Sequence, residues 1–426
     1  MKLIYIIIDG MGDQPVKELG GKTPLEAAKT PHMDSLAKNG KTGLMYTVGK
    51  GMAPESDVAV VSVLGYDPFQ YHVSRGALES VGAGMDMKSG DLAIRCNFGT
   101  LAPDNSSIID RRAGRNLTQE EADKLADAIN EKVELEAHPV SLEIKSTVAY
   151  RAALVIRTEN SPLSGNISNT DPAYKRINSI GVADLNAEMV LKTCNPLDDT
   201  EAAKVSAKLV NEFTIKATQV LDNHEVNQKR AKEGKLKANV ILSRDAGSMI
   251  PDFPLLSDIY GLDFVCLADM NVERGISKLA GMNLVDLPLP SKDLVSDCKL
   301  RIKKLLETLP NYDCFYIHIK GPDEPGHDGD YKLKAELIEI IDQHFVGEML
   351  KHINLDDHLV CITADHSTPC NLKAHSDDPV PVLIAGNNLK PDKVQTFSEK
   401  ECKQGELGTL SKGTQLIPML VDYMKI

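Results

Sequence analysis

Near its start the chain carries an unbroken β-branched and aliphatic run, Leu3 to Ile8, which Asp9 and Gly10 cut short. A continuous apolar run without alternation is the pattern of a strand covered on both faces, as in a parallel sheet. A helix is expected next, and Thr23, Pro24 and Glu26 provide an N-cap, a first helical residue and the partner of a capping box. "HMDSLAKNG" continues or restarts the helix until Asn39 and Gly40 stop it. Similar strand patterns return at "DCFYIHIKGPD" and "DHLVCITADH", separated by the amphipathic stretch "KLKAELIEIIDQHFVGEMLKHI", and "VPVLIAG" adds another strand. Strand, helix, strand alternation predicts parallel βαβ units. Three of these strand patterns close on an aspartate: Asp9, Asp323 and Asp365.

The middle of the chain reads differently. Strand candidates there carry arginines ("DLAIRCNFGTL", "STVAYRAALVIRT", "ANVILSRDAG"), set against a polar helix that opens at Thr118 with the capping box "TQEE" and another from about Asp199 to His224. "TENSPLSGNISNTDP" has loop composition. These patterns predict an α/β chain with a mostly parallel sheet, formed by residues 1–85 and 250–426, and a smaller α+β domain inserted at 86–249. The first would bind metal and the second substrate.

Composition narrows the class. A length of 426 residues exceeds one typical core, and 42% hydrophobic with 26% charged residues is ordinary for a soluble protein. A formal charge of -13 argues against nucleic-acid and acidic-membrane partners, leaving a small anion held where cations gather locally. The run Leu3 to Ile8 is too short to span a bilayer and no cleavage pattern follows it, so a cytoplasmic protein is expected. Eight cysteines without a Cys-x-x-Cys pair read as buried free thiols. The oligomeric state stays open, a homo-oligomer included.

Ligands of parallel α/β sheets bind beyond the carboxyl ends of the strands, where Asp9, Asp323 and Asp365 would emerge. Three carboxylates on one rim repel each other unless cations lie among them. His327, His366 and His375 flank them, and mixed Asp and His donors suit Zn²⁺ or Mn²⁺ better than an all-oxygen Ca²⁺ or Mg²⁺ site. A two-metal site is the expectation. Ser56 allows two readings: the N-cap of the helix "DVAVVSVLG", or a nucleophile activated by a helix N-terminus and a nearby cation. Arg111, Arg112 and Arg115 cluster in "IIDRRAGR", while Arg95, Arg151 and Arg244 interrupt apolar segments, an arrangement suited to a substrate bearing phosphate and carboxylate. Lys320 would add a point charge at the rim for phosphate oxygens.

The pieces "IIIDGMGDQPVKELGGKTPLEAAKTPHMDSLAKNG", "SDVAVVSVLGYDP", "IIDRRAGRNLTQEEADKLA", "IHIKGPDEPGHDGDYKLKAELIEIID" and "ITADHSTPCNLKAHSDDPVPVLIAG" closely resemble archaeal-type cofactor-independent phosphoglycerate mutases of the alkaline phosphatase superfamily. The likeness is collinear along nearly the whole chain and weakest between about 158 and 198. It implies an alkaline-phosphatase-like three-layer αβα core and a cytoplasmic glycolytic isomerase of 3-phosphoglycerate and 2-phosphoglycerate. Two divalent ions, Mn²⁺ first and Zn²⁺, Co²⁺ or Mg²⁺ as alternatives, would serve it without 2,3-bisphosphoglycerate. By matching motifs, Ser56 would be the nucleophile and a ligand of one ion with Asp9, Asp365 and His366, and Asp323, His327 and His375 would hold the other. The inserted domain's arginines would keep glycerate bound while phosphoserine forms. Glu55 before the serine, Ser74 and Arg75 in "HVSRG", and Tyr150 before Arg151 depart from the family pattern. They leave as an alternative a phosphotransferase or phosphomonoesterase of the same superfamily, for example a homoserine-kinase-like relative.

Overall fold

The apolar run at the N-terminus forms the strand Lys2–Ile8, paired in parallel with Cys314–Ile319 on one side and His358–Thr363 on the other. From Leu3 to Ile8 it is buried on both faces, as the absence of alternation predicts. The computed structural model describes residues 1–425 except 72, 178, 179, 185 and 388. It divides into two compact units, Met1–His72 with Asp252–Ile426, and Val73–Pro251.

The first unit holds an eight-stranded sheet in the order Asn283–Leu284, Phe264–Leu267, Cys314–Ile319, Lys2–Ile8, His358–Thr363, Val380–Gly386, Gly40–Met45 and Gly408–Leu410. Val380–Gly386 runs antiparallel to both its neighbours, and every other pairing is parallel. Thr23 and Glu26 form the expected capping box, but the helix they start ends at Ala27 and a new one, Pro31–Lys38, begins. Thr30 makes no side-chain cap there. Asp342 takes that place, accepting from Met33 N at 2.7 Å and His32 N at 3.2 Å. Asp342 also opens a π-turn, Asp342–Val346, that interrupts the long amphipathic helix.

The second unit is built on an antiparallel sheet in which Leu92–Leu101 lies between Arg151–Thr158 and Val240–Gly247, with Val140–Ser146 outside Arg151–Thr158 and Ile108–Asp110 against the end of Leu92–Leu101. The helices Gln119–Lys132, capped by the predicted Thr118 and Glu121 box, and Glu201–Asp222 supply Leu125, Ile129, Val210 and Phe213 to its core. A hairpin, Tyr174–Ile177 with Ile180–Ala183, follows the predicted loop. All eight cysteines are buried and unpaired. Among the described residues no helix is long and apolar enough to cross a membrane.

The strand patterns of the sequence place the first crossing near residue 85, whereas the unit boundary falls after residue 72. The helix Arg75–Gly82 belongs with the sheet of the second unit because Gly76 lets the two backbones touch. A Cβ on Gly76 would lie 2.6 Å from Asp245 O and 2.8 Å from Ala93 O. Gly76→Ala is therefore expected to lower stability by about 1–3 kcal/mol, read from the first transition in denaturant unfolding. An unchanged midpoint would show that this helix and strand can part at no cost.

Candidate active site

Strand register sets the rim. Ile8 lies opposite Ile319 and Ile7 opposite Thr363, so the three central strands end together. Asp9 follows the first directly, Lys320 the second, and Asp365 leaves the third two residues on. Gly10 N donates to Asp365 Oδ1 at 3.1 Å, and Gly10 has φ +61° with Asp323 Cα only 2.7 Å from where a Cβ would stand. Glycine alone meets both conditions. Asp323 does not close a strand, as the sequence pattern suggests. It opens the short helix Asp323–Asp328, which places His327 one turn later on the same face.

Ser56 is not the N-cap of its helix. Glu55 holds that position and makes no side-chain cap bond, while Ser56 is the first helical residue of Ser56–Val63. The free amide of Val58 is taken by Asp57 Oδ1 at 2.9 Å, and the Ser56 hydroxyl is left for other partners. Its Oγ lies 3.2 Å from His366 Nε2. Glu55 is exposed, and its charge acts on His375. Burial opposes the charged form of His375, but Asp323 first and Glu55 with it raise the imidazole to about 9.

Two clusters of donors form. In the first, His366 Nε2 is 3.5 Å from Asp9 Oδ1 and 3.3 Å from Asp365 Oδ2, with Ser56 Oγ beside it. Asp9 Oδ1 and Asp365 Oδ2 are buried and have no hydrogen-bond partner, an arrangement that costs free energy unless a cation meets them. In the second, Asp323 Oδ1, His327 Nε2 and His375 Nε2 are separated by 3.1 to 3.5 Å. Donors about 2.1 Å from one tetrahedral centre stand about 3.4 Å apart, so both clusters fit a divalent ion of the Zn²⁺ or Mn²⁺ kind.

Hydrogen bonds on the far side of each imidazole fix its tautomer. His375 Nδ1 lies 2.8 Å from Pro54 O and His327 Nδ1 3.2 Å from Lys373 O; a carbonyl only accepts, so each Nδ1 carries a proton and Nε2 is the nitrogen left for a cation, which at His375 would displace the proton that Asp323 holds there. Thr368 Oγ1 donates to Asp323 Oδ1 at 2.7 Å, so it accepts from His366 Nδ1 at 3.0 Å and bares His366 Nε2 as well. Burial, and then His375, lower the His366 pKa to about 3, so the ring stays neutral.

Three residues that the sequence does not mark, Glu273, His318 and Lys334, shape the rim together with the expected Lys320. Lys320 Nζ lies 2.7 Å from Glu273 Oε1 and 3.1 Å from Asp9 Oδ2. Against burial, Lys320 holds Asp9 well below the usual carboxylate range, whereas burial and the Asp9 charge push Asp365 up. Glu273 comes from a helix, Asn271–Leu279, with no rim pattern in sequence. His318 Nε2 stands 3.9 Å from Asp9 Oδ1 and 3.8 Å from Asp365 Oδ2, and the histidine in "FYIHIKG" looks like any strand residue. Fully buried Lys334 donates to Gly12 O, Asp13 Oδ2 and Thr368 O at 2.8 to 2.9 Å, tying together the two loops that carry Asp9 and His366. The lone lysine on the buried stripe of the amphipathic helix was the available signal.

The arginines lie in the second unit. Arg95 and Arg244 are direct cross-strand partners, and Arg75, Arg95, Arg151 and Arg244 all act on buried Glu79. Burial and the like charges of Arg75, Arg244 and Arg151 bring Arg95 down to about 9 despite Glu79. Arg111 is gripped by Asp171, and the Arg112 and Arg151 guanidinium carbons both lie within 6 Å of the Tyr150 ring centre, at 5.9 and 5.8 Å. Arg115 is exposed in the turn that follows. Arg75, which the sequence does not mark as a site residue, thus joins four of the six expected arginines, Arg95, Arg111, Arg151 and Arg244, around shared acids.

Residues 37–227 match the family described as 2,3-bisphosphoglycerate-independent phosphoglycerate mutase. A protein of that name from Aeropyrum pernix is 42% identical, with 100% of both chains covered. One from Thermococcus kodakarensis is 39% identical over 99% of this chain and 97% of its own. The solved cofactor-independent phosphoglycerate mutase of Thermoplasma acidophilum superposes with a TM-score of 0.67 at 30% identity, each chain covered in full. A Pyrococcus horikoshii structure reaches 0.78 at 33% identity, covering 100% of this chain and 97% of that one.

Metal should bind the folded chain and stabilise it. Saturation with Mn²⁺ at about a hundred times its dissociation constant is expected to add about 2.7 kcal/mol, and EDTA to remove it, followed by thermal unfolding. Thr368→Val, which frees His366 to adopt the other tautomer, should weaken Mn²⁺ binding by about 10- to 100-fold in calorimetry. Wild-type affinity in that variant would remove the tautomer argument.

Proposed function

The chain belongs to the 2,3-bisphosphoglycerate-independent phosphoglycerate mutases, and on that premise we propose that it interconverts 3-phosphoglycerate and 2-phosphoglycerate with Ser56 as the transient carrier of the phosphoryl group. The observation that supports this most directly is the Ser56 hydroxyl: excluded from its helix cap, it lies 3.2 Å from His366 Nε2, beside two buried carboxylate oxygens without partners.

Asp9, Ser56, Asp365 and His366 would hold one divalent ion, and Asp323, His327 and His375 another, with Mn²⁺ the ion their mixed donors suit. Bound there, the ions neutralise the carboxylates and the substrate phosphate and lower the pKa of the serine hydroxyl. Ser56 Oγ attacks phosphorus as the bond from phosphorus to the substrate oxygen breaks, and the freed glycerate oxygen takes up a proton. The other glycerate hydroxyl then gives up its proton, attacks the phosphoserine and restores Ser56. Phosphorus changes partner twice and nothing is oxidised, which is why no bisphosphoglycerate is needed. Lys320, fixed between Glu273 and Asp9, holds positive charge at this rim throughout.

The arginines of the second unit supply the cations for the substrate carboxylate. A glycerate that left, or a water that entered, would turn the phosphoserine into a hydrolytic intermediate, so retention of glycerate separates a mutase from a phosphatase. The overall charge of -13 supports a small anion rather than nucleic acid or acidic membrane as the partner.

Purified protein loaded with Mn²⁺ is expected to convert 3-phosphoglycerate to 2-phosphoglycerate, detected by coupling to enolase with no 2,3-bisphosphoglycerate added. No turnover by metal-loaded protein would overturn the reading. Ser56→Ala should fall below about one-thousandth of wild-type rate while keeping its fold, and retained activity would exclude Ser56 as the carrier.

A further inference from the structure

The loop after Thr158 delivers two residues into the arginine network. Asp171 is fully buried. Its Oδ1 accepts from Arg111 Nε at 2.6 Å and from Ala173 N at 3.2 Å, its Oδ2 accepts from Arg111 Nη2 at 2.5 Å, and Arg244 Nε lies 4.0 Å from the same Oδ2. Three residues on, the Tyr174 ring centre is 4.3 Å from Arg244 Cζ and 5.1 Å from Arg111 Cζ. One carboxylate edge and one aromatic face thus hold two guanidinium groups.

These two devices differ in what they leave over. A bidentate carboxylate occupies two of a guanidinium's donors, whereas an aromatic face fixes its plane without occupying any. Arg244 is buried, and its Nε has no hydrogen-bond partner. Asp171 is one carboxylate between two guanidinium groups, and Asp245 is shared by Arg244 at 3.5 Å and Arg95 at 3.8 Å. A buried guanidinium with an unfilled donor is suited to an anion.

We propose that Asp171 and Tyr174 are positioning residues that hold Arg111 and Arg244 as a paired receptor for the carboxylate of phosphoglycerate. This rests on the mutase reading. The phosphoryl group leaves the substrate in every cycle and the carboxylate does not, so a rigid receptor serves the carboxylate. Paired planar guanidinium groups match the two oxygens of a carboxylate.

Tyr174→Leu removes the aromatic face and Tyr174→Phe keeps it. With metal-loaded full-length protein, Tyr174→Leu is expected to raise KM for 3-phosphoglycerate on the order of tenfold with kcat within about twofold of wild type, and Tyr174→Phe to restore KM. Calorimetric binding of glycerate should weaken in parallel, while inorganic phosphate binds as to wild type. Asp171→Asn should act in the same direction, with circular dichroism to confirm its fold. Unchanged KM and glycerate affinity in Tyr174→Leu, or an equal loss for inorganic phosphate, overturns the proposal. Absence of wild-type turnover would instead strike the mutase reading, and the glycerate titration would still decide the receptor: weakened binding in Tyr174→Leu supports it, and unchanged or absent binding overturns it.

Discussion

Two buried carboxylates that must not sit alone organise the first unit. Asp9 and Asp365 emerge from adjacent strands in register, each with an oxygen that meets no hydrogen-bond donor. In so poorly solvated a site burial and the Asp9 charge push Asp365 upward. Everything around them answers that constraint. Lys320 places a cation on Asp9, Glu273 keeps that cation from collapsing onto it, and His366 turns a neutral nitrogen toward both acids. Gly10 removes the side chain that would separate Asp323 from the pair. The geometry is held from outside by Lys334, whose burial is tolerable because its hydrogens reach three oxygens of the two ligand-bearing loops.

The second unit has the opposite surplus. Arg95 and Arg244 face each other across a strand pair, an arrangement that is destabilising unless acids or a bound anion compensate it. Glu79 and Asp245 compensate in part. An acid-rich chain can therefore attract an anion locally, since net charge and local field are different quantities.

Sequence made the core of this legible for a simple reason. Residues that sit at the end of a buried strand are announced by the strand, so Asp9, Lys320, Asp365 and His366 could be assigned to one rim from apolar runs alone, and capping boxes marked Thr23 and Thr118 as helix starts. What stayed hidden depends on three-dimensional placement. Ser56 looks like a cap because Ser is the commonest cap, and only the backbone angle at Glu55 moves that role one residue back. Glu273 and Tyr174 act through partners distant in the chain, Lys320 and Arg244, and have no local pattern. The unit boundary turned on Gly76, whose lack of a side chain matters only against the carbonyls of Ala93 and Asp245.

Thr368 has one hydroxyl hydrogen and uses it on Asp323, which obliges its oxygen to accept from His366. The rings of His366 and His375 stack at 3.8 Å beside it. A single O–H direction is thereby shared between the two donor clusters, one through a carboxylate and the other through an imidazole. A change at Thr368 therefore reaches both donor clusters at once, one through Asp323 and the other through His366.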